Sequence, residues 1–247
     1  MTLHPIPRAL LTLKKCNVQC LLMGGQACIV YGAAEFSRDL DVAILASVEN
    51  LAALRAALAE LKAEPIFFPP LDLQHLDRGH ACHFRCHAAG SEGLRLDVMA
   101  RLRGCEPFPR LWDRRFVVAL PGIGEVALLS LRDLVQCKKT QRDKDWVMLR
   151  RLVEIDYVAG RRSGSSADVR WWLAELRSPS YLLELAQAFP GDVAAVATRP
   201  GLAEALQRGA EALEESLRAE ELLVRQEDRA YWRPLRAELE AMRLARG

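Results

Sequence analysis

Up to about Gly160 short apolar runs alternate with helical stretches and turns, and beyond it only helical patterns remain. That change of texture restricts the chain to a mixed α/β front followed by an all-helical back, with expected domains over 1–160 and 161–247. The front opens with a buried strand over Val18–Met23, two glycines, a short helix over Gln26–Tyr31, and a second strand over Leu40–Leu45. Ser47 is placed to cap a helix over Val48–Lys62, in which Leu51, Leu54, Leu58 and Leu61 recur at helical spacing. Pro65, Pro69 and Pro70 then break the pattern.

Two hairpins follow. Cys82–Ala88 and Leu94–Ala100 flank Gly90-Ser91-Glu92-Gly93, and Arg115–Leu120 and Glu125–Leu129 flank Pro121-Gly122-Ile123-Gly124. Ser130 with Asp133 resembles a capping box opening a helix through Lys139, and a second helix is expected from Asp143 to about Val158. Arg161–Ser166 reads as a linker-like cluster. The helices expected after it cover Asp168–Leu176, Tyr181–Ala188, Leu202 to about Arg229, and Pro234–Ala245.

At 247 residues the chain can bury a core without disulfide or metal staples, and 51% hydrophobic with 27% charged residues is ordinary globular composition. Disorder, collagen-like and low-complexity architectures are excluded. The net charge of +2 points to neither a polyanionic partner nor a membrane surface, so any electrostatic argument must be local. The first residues lack a secretory pattern, and the apolar stretch Cys20–Ala34 falls short of the roughly 20 residues a span needs. Seven irregularly spaced cysteines are then expected as reduced thiols of a cytoplasmic protein.

The chemistry concentrates between Met23 and Asp41. Residues i and i+2 of a strand share a face, which sets Asp39 and Asp41 side by side, about 6–7 Å apart at the backbone. Two carboxylates leading an apolar run repel each other, and a divalent cation preferring hard oxygen ligands relieves the repulsion. Alone, Asp-x-Asp is more simply two surface aspartates at a strand start. Gly24-Gly25, between a strand and a helix, admits close backbone approach by a phosphate, although any tight turn also needs glycine. In Leu94-Arg95-Leu96-Asp97-Val98-Met99 a third carboxylate stands on a later apolar strand, where a structural hydrogen-bonded aspartate is the competing account.

Taken together, strand, Gly-Gly, helix, Asp-x-Asp strand and distant Asp strand resemble the DNA-polymerase-β-like nucleotidyltransferase superfamily over roughly residues 10–155. Leu129-Ser130-Leu131-Arg132-Asp133-Leu134, then Lys138 and Arg142-Asp143-Lys144-Asp145, resemble the helix pair of the bacterial AbiEii-like, minimal type. The resemblance implies a nucleotidyltransferase fold with a mixed, twisted sheet and a C-terminal helical domain. It implies transfer of a nucleoside monophosphate from a nucleoside triphosphate, such as ATP, to a hydroxyl acceptor, with release of pyrophosphate.

Asp39, Asp41 and Asp97 are then the expected ligands of two Mg²⁺ (or Mn²⁺) ions, with Asp97 alternatively taking the acceptor's proton. Gly24, Gly25, Ser37, Lys138, Arg142 and Lys144 are the expected phosphate-binding set, and Asp145 is an alternative orienter of a neighbouring base. The implied context is a toxin–antitoxin-type enzyme with an RNA or protein acceptor and an antitoxin partner. An antibiotic nucleotidyltransferase with a small-molecule acceptor and an inactive nucleotide-binding module are the alternatives. One departure is plain: Glu35 stands where the family commonly has Arg, and nearby Arg38 is a replacement only if it reaches the same face.

Other features have simpler accounts. His80, Cys82, His83, Cys86 and His87 suggest zinc, but on a strand Cys82, Phe84 and Cys86 share the core face, while His83, Arg85 and His87 share the other. His83 or Arg85 is the better candidate for touching substrate. Trp171, Trp172 and Trp232 are expected in helix packing rather than in ring stacking, and the charged face of the long C-terminal helix as solvated.

Overall fold

The computed structural model describes residues 5–193, 199 and 201–245. Contacts group the chain into two compact units, Met1–Cys137 with Tyr231–Gly247, and Lys138–Ala230. Each has its own core.

The first unit is built on a seven-stranded mixed sheet. Its strands are β1 (Cys20–Met23), β2 (Leu40–Ile44), β3 (Glu64–Pro65), β4 (Cys82–Arg85), β5 (Arg95–Met99), β6 (Phe116–Leu120) and β7 (Gly124–Leu128), in the order β3-β4-β5-β2-β1-β7-β6. β1 runs antiparallel to β2 and parallel to β7, and β2 runs parallel to β5. Both glycine-turn hairpins are present, as antiparallel β4/β5 and β6/β7. The central strands are near-continuous apolar runs because both faces are covered: Leu21, Leu40, Val42, Ala43 and Ile44 are fully buried. β4 alternates as its sequence predicts, with Cys82 and Phe84 buried, His83 half-buried and Arg85 exposed.

The helices of this unit are α1 (Pro5–Lys15), α2 (Gly24–Val30), α3 (Val48–Glu60), α4 (Leu73–Arg78), α5 (Phe108–Asp113) and α6 (Leu131–Cys137). Ser47 caps α3 by accepting from Asn50 N–H, and the leucine stripe of α3 faces the core. At α6 the Asp133 N–H donates to Ser130 Oγ (3.2 Å), and Ser130 Oγ–H returns a bond to Asp133 Oδ2 (2.6 Å). Arg114 grips the same carboxylate through two nitrogens, at 2.7 and 2.8 Å. The helix stops at Cys137, two residues earlier than expected.

The second unit is helical, as the texture beyond Gly160 predicts: α7 (Asp143–Gly160), α8 (Ser166–Glu175), α9 (Pro179–Ala188), α10 (Leu202–Arg208) and most of α11 (Ala210–Leu244). Residue 160 ends α7, whereas the contact boundary lies at 137/138, because α7 packs with α8. The Arg161–Ser166 cluster is a tight turn rather than a loose linker. Its Ser163 and Gly164 N–H groups donate to Gly160 O, and Ser165 forms a full capping box with Asp168. A Cβ on Gly160 or Gly164 would lie within 2.8 Å of the Trp172 ring, which fixes glycine at both places. Trp172 is core, with its Nε1–H on Asp156 Oδ2 at 2.7 Å.

One long helix was expected from Leu202. Gly209, at φ +97, divides it, and Pro234 lies inside α11 instead of starting a new helix. Proline removes one backbone donor without forcing the chain out of helix when flanking turns hold. None of the seven cysteines is in a disulfide. Among the described residues no helix is long and apolar enough to cross a membrane.

Candidate active site

The sheet register assembles the site. Met23, Asp41, Asp97 and His83 stand directly opposite one another across β1, β2, β5 and β4. Directly opposed residues share a face, so Asp41, Asp97 and His83 form one transverse row. Asp39 lies on the bend one residue before β2, half-buried like Asp41. Arg95, two residues before Asp97, adds a cation to the same face.

The two glycines abut this row. Gly24 opens α2 at φ +66, and a Cβ there would lie 1.9 Å from Asp41 Oδ2. A Cβ on Gly25 would lie 2.4 Å from Ser37 Oγ. The Gly-Gly pair is therefore required by the side chains set against it, beyond any need of the turn. Gln26 Nε2 donates to Ser37 O at 2.8 Å and ties the segment leading to Asp39 onto α2. Gly24, Gly25, Ser37, Asp39, Asp41 and Asp97 all belong to this unit, as does the row that carries them.

Asp97 is held by two side chains. Its Oδ1 accepts from Arg95 Nε at 2.8 Å and meets His83 Nδ1 at 2.8 Å. Burial alone would raise its carboxyl, but the hydrogen bonds and charges of His83 and Arg95 outweigh that and hold it below the usual aspartate range. Since the carboxylate can only accept, His83 Nδ1 carries the proton toward it, and Arg95 Nη2, 3.2 Å from that nitrogen, lies alongside. The Asp97 bond raises the Arg95 guanidinium, burial opposes it, and the charges of Asp97, Asp39 and Asp41 add to the rise. Phe67, half-exposed, closes this side: its ring meets His83 edge-on at 5.6 Å and lies 5.6 Å from the Arg95 guanidinium carbon.

Of the outward pair on β4, His83 joins the acids, while Arg85 donates to Gly93 O within its own hairpin. Arg95 and Phe67 were not legible as site residues; only the register of β5 against β4 brings them in. Glu35 is exposed, and Arg38 stacks over Phe36 at 5.7 Å.

The basic candidates lie in the other unit. Lys138 is buried, with Nζ donating to Asp145 Oδ1 at 2.9 Å, and Arg142 Nε and Thr140 Oγ1 both donate to Asp145 Oδ2 at 2.7 Å. Asp145 is itself fully buried; burial would raise its carboxyl, but the charges of Lys138 and Arg142 and the hydrogen bonds prevail and lower it. Lys144 is exposed.

The donor chemistry suits a hard divalent cation: Asp41 and Asp97 stand opposite each other in register, and Asp39 lies one residue before β2. Among the described residues no three His, Cys, Asp or Glu side chains are drawn together as a ready-made metal cluster.

No protein-family model and no curated protein matches the chain. Among solved structures, JHP933 from Helicobacter pylori is similar at 12% identity and a TM-score of 0.38, covering 95% of each chain. An H. pylori protein provisionally described as a nucleotidyltransferase is similar at 13% identity and a TM-score of 0.40, over 92% of this chain and 95% of its own. Both likenesses are too distant to assign an activity.

Proposed function

We propose that this protein is a metal-dependent nucleotidyltransferase that transfers a nucleoside monophosphate from a nucleoside triphosphate to a hydroxyl acceptor. The observation that carries the reading is the glycine pair set against the acid row: Gly24 has no room for a Cβ beside the Asp41 carboxylate, and Asp41 faces Asp97 in register.

Asp39 and Asp41 would hold the divalent ions, Mg²⁺ or Mn²⁺, with Asp97 as third ligand or acceptor-side base. When bound, such ions stabilise the attacking and leaving oxygens of an in-line displacement at phosphorus. Gly24 and Gly25 let the triphosphate approach the backbone, and the Ser37 hydroxyl adds a donor beside them. His83 restrains the side-chain torsions of the Asp97 carboxylate. Lys138, Arg142 and Lys144 belong to the second unit, where Asp145 holds the first two. Within this reading the finer assignment is a toxin–antitoxin-type enzyme of the AbiEii-like kind acting in the cytoplasm on RNA or protein, with an antitoxin as partner.

Thermal shift tests it. Mg²⁺ with a nucleoside triphosphate at about 100 times Kd stabilises by roughly 2.7 kcal/mol, a rise of about 5–10 °C in Tm for a chain of this size. That rise is expected in the wild type and lost in Asp39→Ala/Asp41→Ala. Equal behaviour of the two proteins sinks the enzyme reading. Incubation with labelled nucleoside triphosphates and total RNA, protein, or aminoglycoside and lincosamide panels then fixes the acceptor, and label found only on a drug rejects the toxin assignment.

A further inference from the structure

The acid row contains its own cation. Arg95 is bonded to Asp97 through Nε at 2.8 Å, its guanidinium is covered by Phe67, and its side chain keeps 31% of its surface exposed. Asp41 and Asp97 face each other in register and repel one another, and a guanidinium bonded to Asp97 and within the field of Asp39 and Asp41 relieves that repulsion without any bound ion. It does so by occupying Oδ1 of the carboxylate that an incoming cation would need.

We propose that Arg95 is a built-in counter-cation that competes with divalent metal for Asp97 and, once displaced, turns its guanidinium to the phosphates of the substrate. The inference rests on the nucleotidyltransferase reading and assigns a positioning residue within it. With divalent ions held by Asp39, Asp41 and Asp97 the local charge would become positive, and the Arg95 guanidinium would leave the carboxylates for a polyanion. Its planar fork suits phosphate oxygens as well as it suits a carboxylate. Arg95 therefore opposes metal binding and assists phosphate binding. A role confined to holding the fold would move both affinities in the same direction.

The opposed signs are measurable without turnover. Isothermal titration of the full chain with Mn²⁺ alone is expected to show Arg95→Gln binding the metal about 5–10-fold more tightly than wild type. Titration with inorganic triphosphate at saturating Mn²⁺ is expected to show the same variant binding about 5–10-fold more weakly, a change of about 1 kcal/mol in each case. Arg95→Lys keeps the charge, loses the fork, and is expected to fall between on both measures. It serves as the test protein if Arg95→Gln does not fold. Metal affinity unchanged or reduced in the Arg95 variants, with wild-type binding intact, overturns the inference alone. Wild-type Mn²⁺ binding that is absent, or insensitive to Asp39→Asn/Asp41→Asn, overturns the enzyme reading and this inference with it.

Discussion

Two glycines with similar positive φ separate what a turn needs from what neighbouring side chains need. Gly24 has φ +66 and a would-be Cβ 1.9 Å from Asp41 Oδ2, whereas Gly122, at φ +74, has nothing within 4 Å. Alanine at either position pays a left-handed backbone cost of about 1–2 kcal/mol. At Gly24 it also pushes the Asp41 carboxylate out of the row. Gly24→Ala is therefore expected to lose Mn²⁺ binding, and Gly122→Ala to lose only stability, with calorimetry and urea unfolding reading the two effects separately. Equal metal affinity in both variants means that Gly24 serves the turn alone. At this scale the acids and glycines stand out in the sequence because each breaks a local rule: a carboxylate in an apolar run, or two glycines between strand and helix. Arg95 breaks none. An arginine at the start of a strand is unremarkable until register places it beside a histidine twelve residues earlier.

Among the elements, those with local punctuation were readable and those set by packing were not. Both hairpins announce themselves by glycine-bearing turns, and α3 by its Ser47 cap. The Arg161–Ser166 cluster looks loose in composition, yet it is a tight turn because Trp172 closes on Gly160 and Gly164 from sequence far enough away to escape a local reading. The α6–α7 connection is similar. Lys138, Thr140 and Arg142 look like an exposed basic stretch, but all three converge on buried Asp145 in the first turn of α7, where the helix dipole also favours an acid. Asp145→Asn leaves Lys138 charged and buried without its partner, so a loss of about 3–5 kcal/mol is expected in urea unfolding at pH 7. The sign of the pH dependence follows from the lowered Asp145 carboxyl. Its contribution is complete above the unfolded value and is lost as pH falls through the folded one, so the gap between wild type and variant narrows below about pH 4. A gap independent of pH down to 2.5 removes Asp145 from the titrating groups that hold this connection.

For the whole molecule, sequence order and spatial order part company. Texture changes at residue 160, but the sheet-bearing unit takes residues 1–137 and then recruits 231–247 from the far end of the chain. Nothing in the composition of α11 signals this, since its charged face is continuous across the boundary. The decisive contacts are long-range. Glu238 accepts from Arg78 Nε at 2.9 Å and meets the Nε2 of buried His80 at 2.9 Å, and Leu235 is buried. A fragment of residues 1–160 lacks all of them. It leaves His80 without its partner, at about 1–3 kcal/mol, and uncovers the surface that Leu235 fills, at about 1.5–3 kcal/mol. Its sheet is accordingly expected to melt about 10 °C below that of the intact protein. A single chain joining 1–137 to 231–247 through a flexible Gly/Ser linker restores both contacts while omitting the second unit, and its melting temperature is expected to return to within a few degrees of the intact protein. Circular-dichroism melts of the three proteins decide the matter: if the 1–160 fragment is as stable as the joined chain, the C-terminal segment is a passenger and the break at 160 is the folding boundary.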